Sequence, residues 1–142
     1  MQPRLVLRFI KTADAPLLKR IITLYRAHGW WDASDKPALL GRIIKGSHCF
    51  VLAEKDGKMV GMGRAISDGA SDAYIQDVAV LKSERGAGTG SAIMKALQRR
   101  LKADGIKWLG LIAQDGSSPF YARLGFRELK RAKPMLSKGS HV

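Results

Sequence analysis

What the sequence lacks narrows it first. A chain of 142 residues with one cysteine, Cys49, can close no internal disulfide, which suits a reducing compartment. Cys49 lies in the apolar run Cys49-Phe50-Val51-Leu52, so core packing outweighs a nucleophilic reading. No apolar run approaches the length of a membrane span, and nothing at the start reads as a secretory leader. The expectation is a cytoplasmic protein with no membrane partner. Repeats, linkers and low-complexity tracts are missing too, so residues 1–142 read as a single domain large enough to bury a core. Acidic residues are scarce, 12 against 25 Lys and Arg, for a formal net charge of +13. That balance invites a nucleic-acid reading. Yet the basic residues are spread along the chain, with modest clusters only at 98–102 and 130–133, and neither is interleaved with aromatics. A basic surface that attracts an anionic small ligand is the favoured reading.

Against these absences stands one dense stretch. Val78-Ala79-Val80-Leu81 is a strand by composition, and Arg85 then leads into Gly86, Ala87, Gly88, Thr89, Gly90 and Ser91 before a run of helix formers. Strand, glycine turn, helix is the order that points unpaired backbone N–H groups, at the positive end of a helix dipole, toward an anion. Glycine suits the turn because a Cβ blocks close approach and because positive φ is often required. The spacing is neither G-x-x-x-x-G-K-[ST] nor G-x-G-x-x-G in an early βαβ unit. A bare turn needs one glycine, not three within five residues, so a phosphate-bearing ligand is expected over residues 78–91.

Taken in order, Leu5 to Ile10 reads as a strand. Thr12 or Asp14 caps a helix with Leu17, Leu18, Ile21, Ile22 and Tyr25 at helical spacing, closed by Gly29. Ser34 or Asp35 caps a second helix, with Pro37 in its first turn and Leu39, Leu40, Ile43 and Ile44 as its stripe. Asp56-Gly57 joins strands 48–54 and 58–66 as a hairpin, and 73–81 is the fourth strand. A helix over 88–103, a buried strand 108–113, a short helix capped by Ser117 or Ser118 and a final strand pair beginning at 126–129 complete a mixed-sheet α+β sandwich.

Two motifs carry a resemblance. Arg85 to Gly90 resembles the R/Q-x-x-G-x-G/A signature of the GNAT superfamily, the acyl-CoA-dependent N-acetyltransferases, and Phe120-Tyr121-Ala122-Arg123-Leu124-Gly125-Phe126 resembles its F/L-Y-x-x-x-G-F signature. The likeness in layout covers nearly the whole chain, and likeness in sequence runs from about Tyr74 onward. The resemblance implies a mostly antiparallel sheet of six to seven strands flanked by about four helices. It implies acetyl-CoA as co-substrate, no metal, and direct attack by a primary amine of a small molecule or peptide in a ternary complex, in a monomer or homodimer.

Attack of an amine on a thioester asks for a neutral amine, a donor for the developing oxyanion and a proton for the departing thiolate. The resemblance places Tyr121 beside the sulfur as general acid; the plainer reading is a packed ring with a satisfied hydroxyl. It places the oxyanion donor on backbone N–H near Val78 or Val80, on a strand that the pantetheine arm joins like an added strand. Gln76 stands where many relatives carry a carboxylate and cannot take a proton. Asp77 can, but successive strand residues face opposite sides, so Asp77 serves as base only if the strand is bulged. His28 titrates in a suitable range but reads equally as a capping or surface residue. Gln114 replaces a common asparagine seven residues before the tyrosine, which weakens its role at the cofactor. The loop His28-Gly29-Trp30-Trp31-Asp32-Ala33 between the first two helices is expected to wall the acceptor pocket, either with both tryptophans around the substrate or with one ring in the core and one outside. A silent basic module of the same fold, holding CoA or nucleic acid without turnover, is the alternative function.

Overall fold

The computed structural model describes residues 4–140, which divide after Leu111 into two compact units. In the first, strands β1 (Leu5–Ile10), β2 (Cys49–Lys55), β3 (Lys58–Ser67), β4 (Asp72–Val80) and β5 (Trp108–Gly110) lie side by side in sequence order. The first three pairings are antiparallel and β4–β5 is parallel. Helices α1 (Ala15–Ala27) and α2 (Pro37–Gly46) precede β2, and α3 (Thr89–Ala103) crosses from β4 to β5.

Local chemistry explains most of these elements. Asp14 caps α1, its Oδ1 accepting from Leu17 N at 3.0 Å. Asp56 and Gly57, at φ +50° and +74°, make the two-residue turn between β2 and β3 that matches the strands' twist. On one face of the sheet Phe50, Leu52, Met62 and Ala79 join Ile21, Ile22, Leu24 and Tyr25 of α1 and Leu40 and Ile44 of α2 in the core. The other face lies under α3. There Gly61 and Gly63 let the helix press close: a Cβ on Gly61 meets Ile93 Cδ1 at 2.8 Å, and one on Gly63 meets Ile93 Cγ2 at 2.9 Å. These two glycines seat the helix that follows the anion turn.

In the second unit α4 (Ser118–Ala122) starts with Pro119 in its first turn and is followed by Gly125 at φ +97°, where Phe126 N donates to Tyr121 O at 3.1 Å. None of residues 112–140 is buried.

Four expectations need correction. The sheet has five strands among the described residues, not six to seven. Residues 126–129 form no strand: they have no pairing partner, the chain bends at Gly125 and at Arg131 (φ +61°), and Leu129 is 63% exposed. The strand expected over 108–113 ends at Gly110, because only Asp72, Ala73 and Tyr74 of β4 pair with it, and Ile112 is 56% exposed. Finally, α2 is capped at Lys36 without a side-chain bond; Asp35 Oδ2 instead accepts from Asp32 N at 2.9 Å, so its carboxylate is spent inside the loop.

Candidate active site

The glycine turn has the geometry of an anion seat. Gly88 caps α3 in the left-handed conformation (φ 84°) and offers no side-chain cap, and no acidic residue stands in the first turn. Gly86 is left-handed as well (φ +81°), and nothing lies within 4 Å of where a Cβ of either residue would sit. The amides of Thr89, Gly90 and Ser91 therefore head the helix with neither side chain nor opposing charge in front of them, and positive φ is comfortable only for glycine there. Thr89 itself is buried, and its Oγ1 has no hydrogen-bond partner. A diphosphate fits this cradle by charge, donors and clearance. Ala87 lies between the two glycines, and Arg85 directly precedes them in sequence. Arg85 Nε donates to Val80 O at 3.3 Å, and Nη2 meets His28 Nε2 at 3.3 Å. Since His28 Nδ1 lies 3.0 Å from the carbonyl of Leu24, that nitrogen carries the proton and Nε2 accepts from Arg85.

The strand leading into the turn is irregular where it matters. Beyond Tyr74 no strand among the described residues pairs with the edge of β4 that faces away from β3. Against β3, Gln76 is opposite Arg64 and Ala79 opposite Met62, so Asp77 and Val78 together face only Gly63. This is a β-bulge, with Asp77 left-handed at φ +54°. The bulge cancels the alternation: Gln76 and Asp77 lie on the same, α1-bearing face, while Val78 comes beside Gly63 under α3. Asp77 Oδ2 accepts from Arg64 Nε at 2.6 Å and from Tyr25 Oη at 2.8 Å. Arg64 Nη1 donates in turn to Ser47 Oγ at 3.3 Å, and Ser47 donates to Ile43 O at 2.6 Å. Burial, reinforced by the Asp77 carboxylate, pushes the Tyr25 phenol far above its ordinary range, so it is a permanent donor.

The aromatic loop packs on the same α1 terminus. The ring of Tyr25 meets those of Trp30 at 6.2 Å and Trp31 at 6.1 Å, and His28 meets Trp30 at 4.9 Å. Trp31 packs against the core while Trp30 is 42% exposed, so one ring faces in and one out. Asp32 is engaged within its loop, its Oδ1 accepting from Ser34 N at 3.4 Å. Thus the structure joins His28, Trp30 and Trp31 to Tyr25, Tyr25 to Asp77, and His28 to Arg85.

Tyr121 and Gln114 belong to the second unit. Tyr121 sits half-buried between Phe120 and Phe126, with ring centroids 5.0 and 6.0 Å away, and burial pushes its phenol up. Gln114 is exposed. Sequence reasoning missed Arg64 and saw Tyr25 only as core. The one available signal was a lone arginine inside the otherwise uncharged run 59–67. Among the described residues no cluster of three His, Cys, Asp or Glu forms a metal site.

A sheet in sequential order, an open edge on its fourth strand and an anion seat at the helix that follows define the class. The chain belongs to the GNAT family: the family described as Acetyltransferase (GNAT) domain matches residues 25–139. It is 40% identical over 83 residues, 58% of this chain and 57% of the other, to the uncharacterized N-acetyltransferase YjcF of Bacillus subtilis. The chain spans 28% to 57% of the length of five curated relatives that it matches. Its fold is similar to that of the GNAT family protein SP0256 of Streptococcus pneumoniae, with TM-score 0.81, 24% identity, and coverage of 97% of this chain and 100% of that one. It is similar also to the aminoglycoside N-acetyltransferase AAC(6')-Iy in complex with CoA, with TM-score 0.74, 18% identity and 97% of each chain covered.

Proposed function

We propose that residues 1–142 act as a single acetyl-CoA-dependent N-acetyltransferase domain, passing an acetyl group to a primary amine of a small molecule or peptide by direct attack in a ternary complex. The observation that carries the reading is the glycine cradle at the start of α3. A CoA-bound relative of the same fold supports it. Bound acetyl-CoA supplies the thioester; every other provision comes from the chain. Amides of 86–91, with Arg85 beside them, hold the diphosphate. The free edge of Val78, Ala79 and Val80 takes the extended arm by main-chain pairing and offers an N–H to the acyl oxygen. Tyr121, kept protonated by burial, donates to the departing thiolate, and Gln114 lines the cofactor. His28, Trp30, Trp31, Asp32 and Gln76 bound the acceptor, with the exposed Trp30 ring offering it a flat apolar surface.

The test has two arms. At a concentration about 100 times Kd, acetyl-CoA stabilises the native state by about 2.7 kcal/mol, so the thermal midpoint rises by several degrees. Gly88→Val abolishes that rise, because a β-branched side chain in a left-handed turn distorts the cradle. A wild-type protein that shows no shift in millimolar acetyl-CoA overturns the reading. Binding without CoA release across a panel of amines leaves instead a silent module.

A further inference from the structure

We propose that Arg64 and Tyr25 are positioning residues acting through Asp77, which is the anchor of the β4 bulge rather than the base of the reaction. The proposal rests on the acetyltransferase reading for its effect on turnover, and on the geometry of β3, β4 and α1 for everything else. In a straight β4, with Gln76 still opposite Arg64, Asp77 would stand opposite Gly63 and face Ile93 and Leu97 of α3. A carboxylate on that apolar face is costly. The bulge turns it to the α1 face, at the expense of a left-handed backbone that a residue with a Cβ adopts unwillingly. Two donors from two different elements, Arg64 of β3 and Tyr25 of α1, converge on the same Oδ2 and hold it there. Arg64 is steadied by Ser47, at the end of α2. The carboxylate is thus tied through Oδ2 into a network that links β3, α1 and the end of α2. The bulge also releases one peptide from the β3 ladder, within the stretch whose other edge has no strand beside it. The direction of that free peptide decides whether an acyl oxygen finds a donor, and Arg64 and Tyr25 set it without touching substrate.

Glycine adopts positive φ without cost, so it separates an anchor from a base. Arg64→Met should lower kcat on the order of 10- to 100-fold, the scale of releasing one strained backbone conformation, with KM for acetyl-CoA nearly unchanged. Tyr25→Phe should do the same to a smaller degree. In the unliganded protein, amide hydrogen exchange at residues 77–79 should quicken in Arg64→Met. The double variant Asp77→Gly/Arg64→Met should restore both kcat and exchange to within about threefold of wild type, since neither carboxylate nor clamp is then needed. If the double variant is as slow as Asp77→Ala while its exchange is normal, the carboxylate does the chemistry and the proposal is wrong. Unchanged exchange in Arg64→Met also overturns it. If wild type itself shows no turnover, the acetyltransferase reading fails, and the exchange measurements still decide the anchor.

Discussion

The unit that ends at Leu111 and the one that starts at Ile112 are held together by different means. Every buried apolar side chain, from Ile10 to Leu101, belongs to the first. Among the described residues of the second none is buried; its local contacts include Phe126 N to Tyr121 O and the rings of Phe120 and Phe126 against Tyr121. Yet the second carries the tyrosine assigned to proton transfer, while the first carries the cradle and the bulged strand. Burial and proton chemistry are therefore assigned to separate parts of the chain, and mutations should separate them too.

The largest effect should fall on stability in the first unit. Leu97 is fully buried and its Cδ1 lies 3.0 Å from where a Cβ of Gly63 would be. Leu97→Ala should cost about 2–5 kcal/mol in chemical denaturation, since the cavity cannot close. Leu129→Ala, at an exposed site, should stay within about 0.5 kcal/mol. An equal cost at Leu129 would break the comparison by revealing a second core.

Next comes activity in the second unit. Tyr121→Phe should lose about 10²-fold in kcat, roughly 2.7 kcal/mol of barrier, with unfolding free energy and acetyl-CoA affinity nearly unchanged. A kcat within about threefold of wild type would make Tyr121 a packing residue, the thiolate then drawing its proton from water.

The smallest effect tests the rim of the first unit. Glu54 accepts from Arg8 of β1 at 2.6 Å and from Arg20 of α1 at 3.1 Å. The Arg8 guanidinium, helped by Arg20, holds its carboxyl below the usual range. A depressed folded value means stabilisation present above the unfolded carboxylate's pKa, near ~4.3, and lost as pH falls through the folded value. Glu54→Gln should therefore cost under about 1 kcal/mol at neutral pH, because both arginines are largely exposed. The difference should close as pH falls through the folded value. A gap that persists once the Glu54 carboxyl is fully protonated would assign the loss to packing instead.

How much of this was legible in the sequence follows the same division. Ile21, Ile22 and Tyr25 recur at helical spacing because α1 has one dry face, and Asp56-Gly57 announces a turn because only such a pair fits it. Gly86 and Gly88 were readable for the same reason: positive φ and clearance leave a mark on composition. The bulge leaves none. Nothing in Gln76-Asp77-Val78 says that two residues will share one partner, since that depends on Arg64 and Tyr25 arriving from elsewhere. The strand expected at 126–129 failed for a related reason. Phe126-Arg127-Glu128-Leu129 has no β-branched residue and no alternation, and pairing needs a neighbour, which none of the described strands supplies. Trp30 and Trp31 did split as adjacent rings usually do, one inward and one outward.

The order of the sheet carries a consequence in time. From β1 to β4 each strand pairs with the one next to it in sequence, β2 to β3 and β3 to β4 through short turns. Loops of that kind close at little entropic cost, so contacts of low order can form early. β5 comes last along the chain, its parallel partner lies on the far side of the whole of α3, and three residues are all that reward the closure. The open edge of β4 is bounded where that last pairing stops. A nascent chain therefore completes its scaffold before it acquires a mouth, and a ribosome must release residues past Gly110 before anything can be bound there.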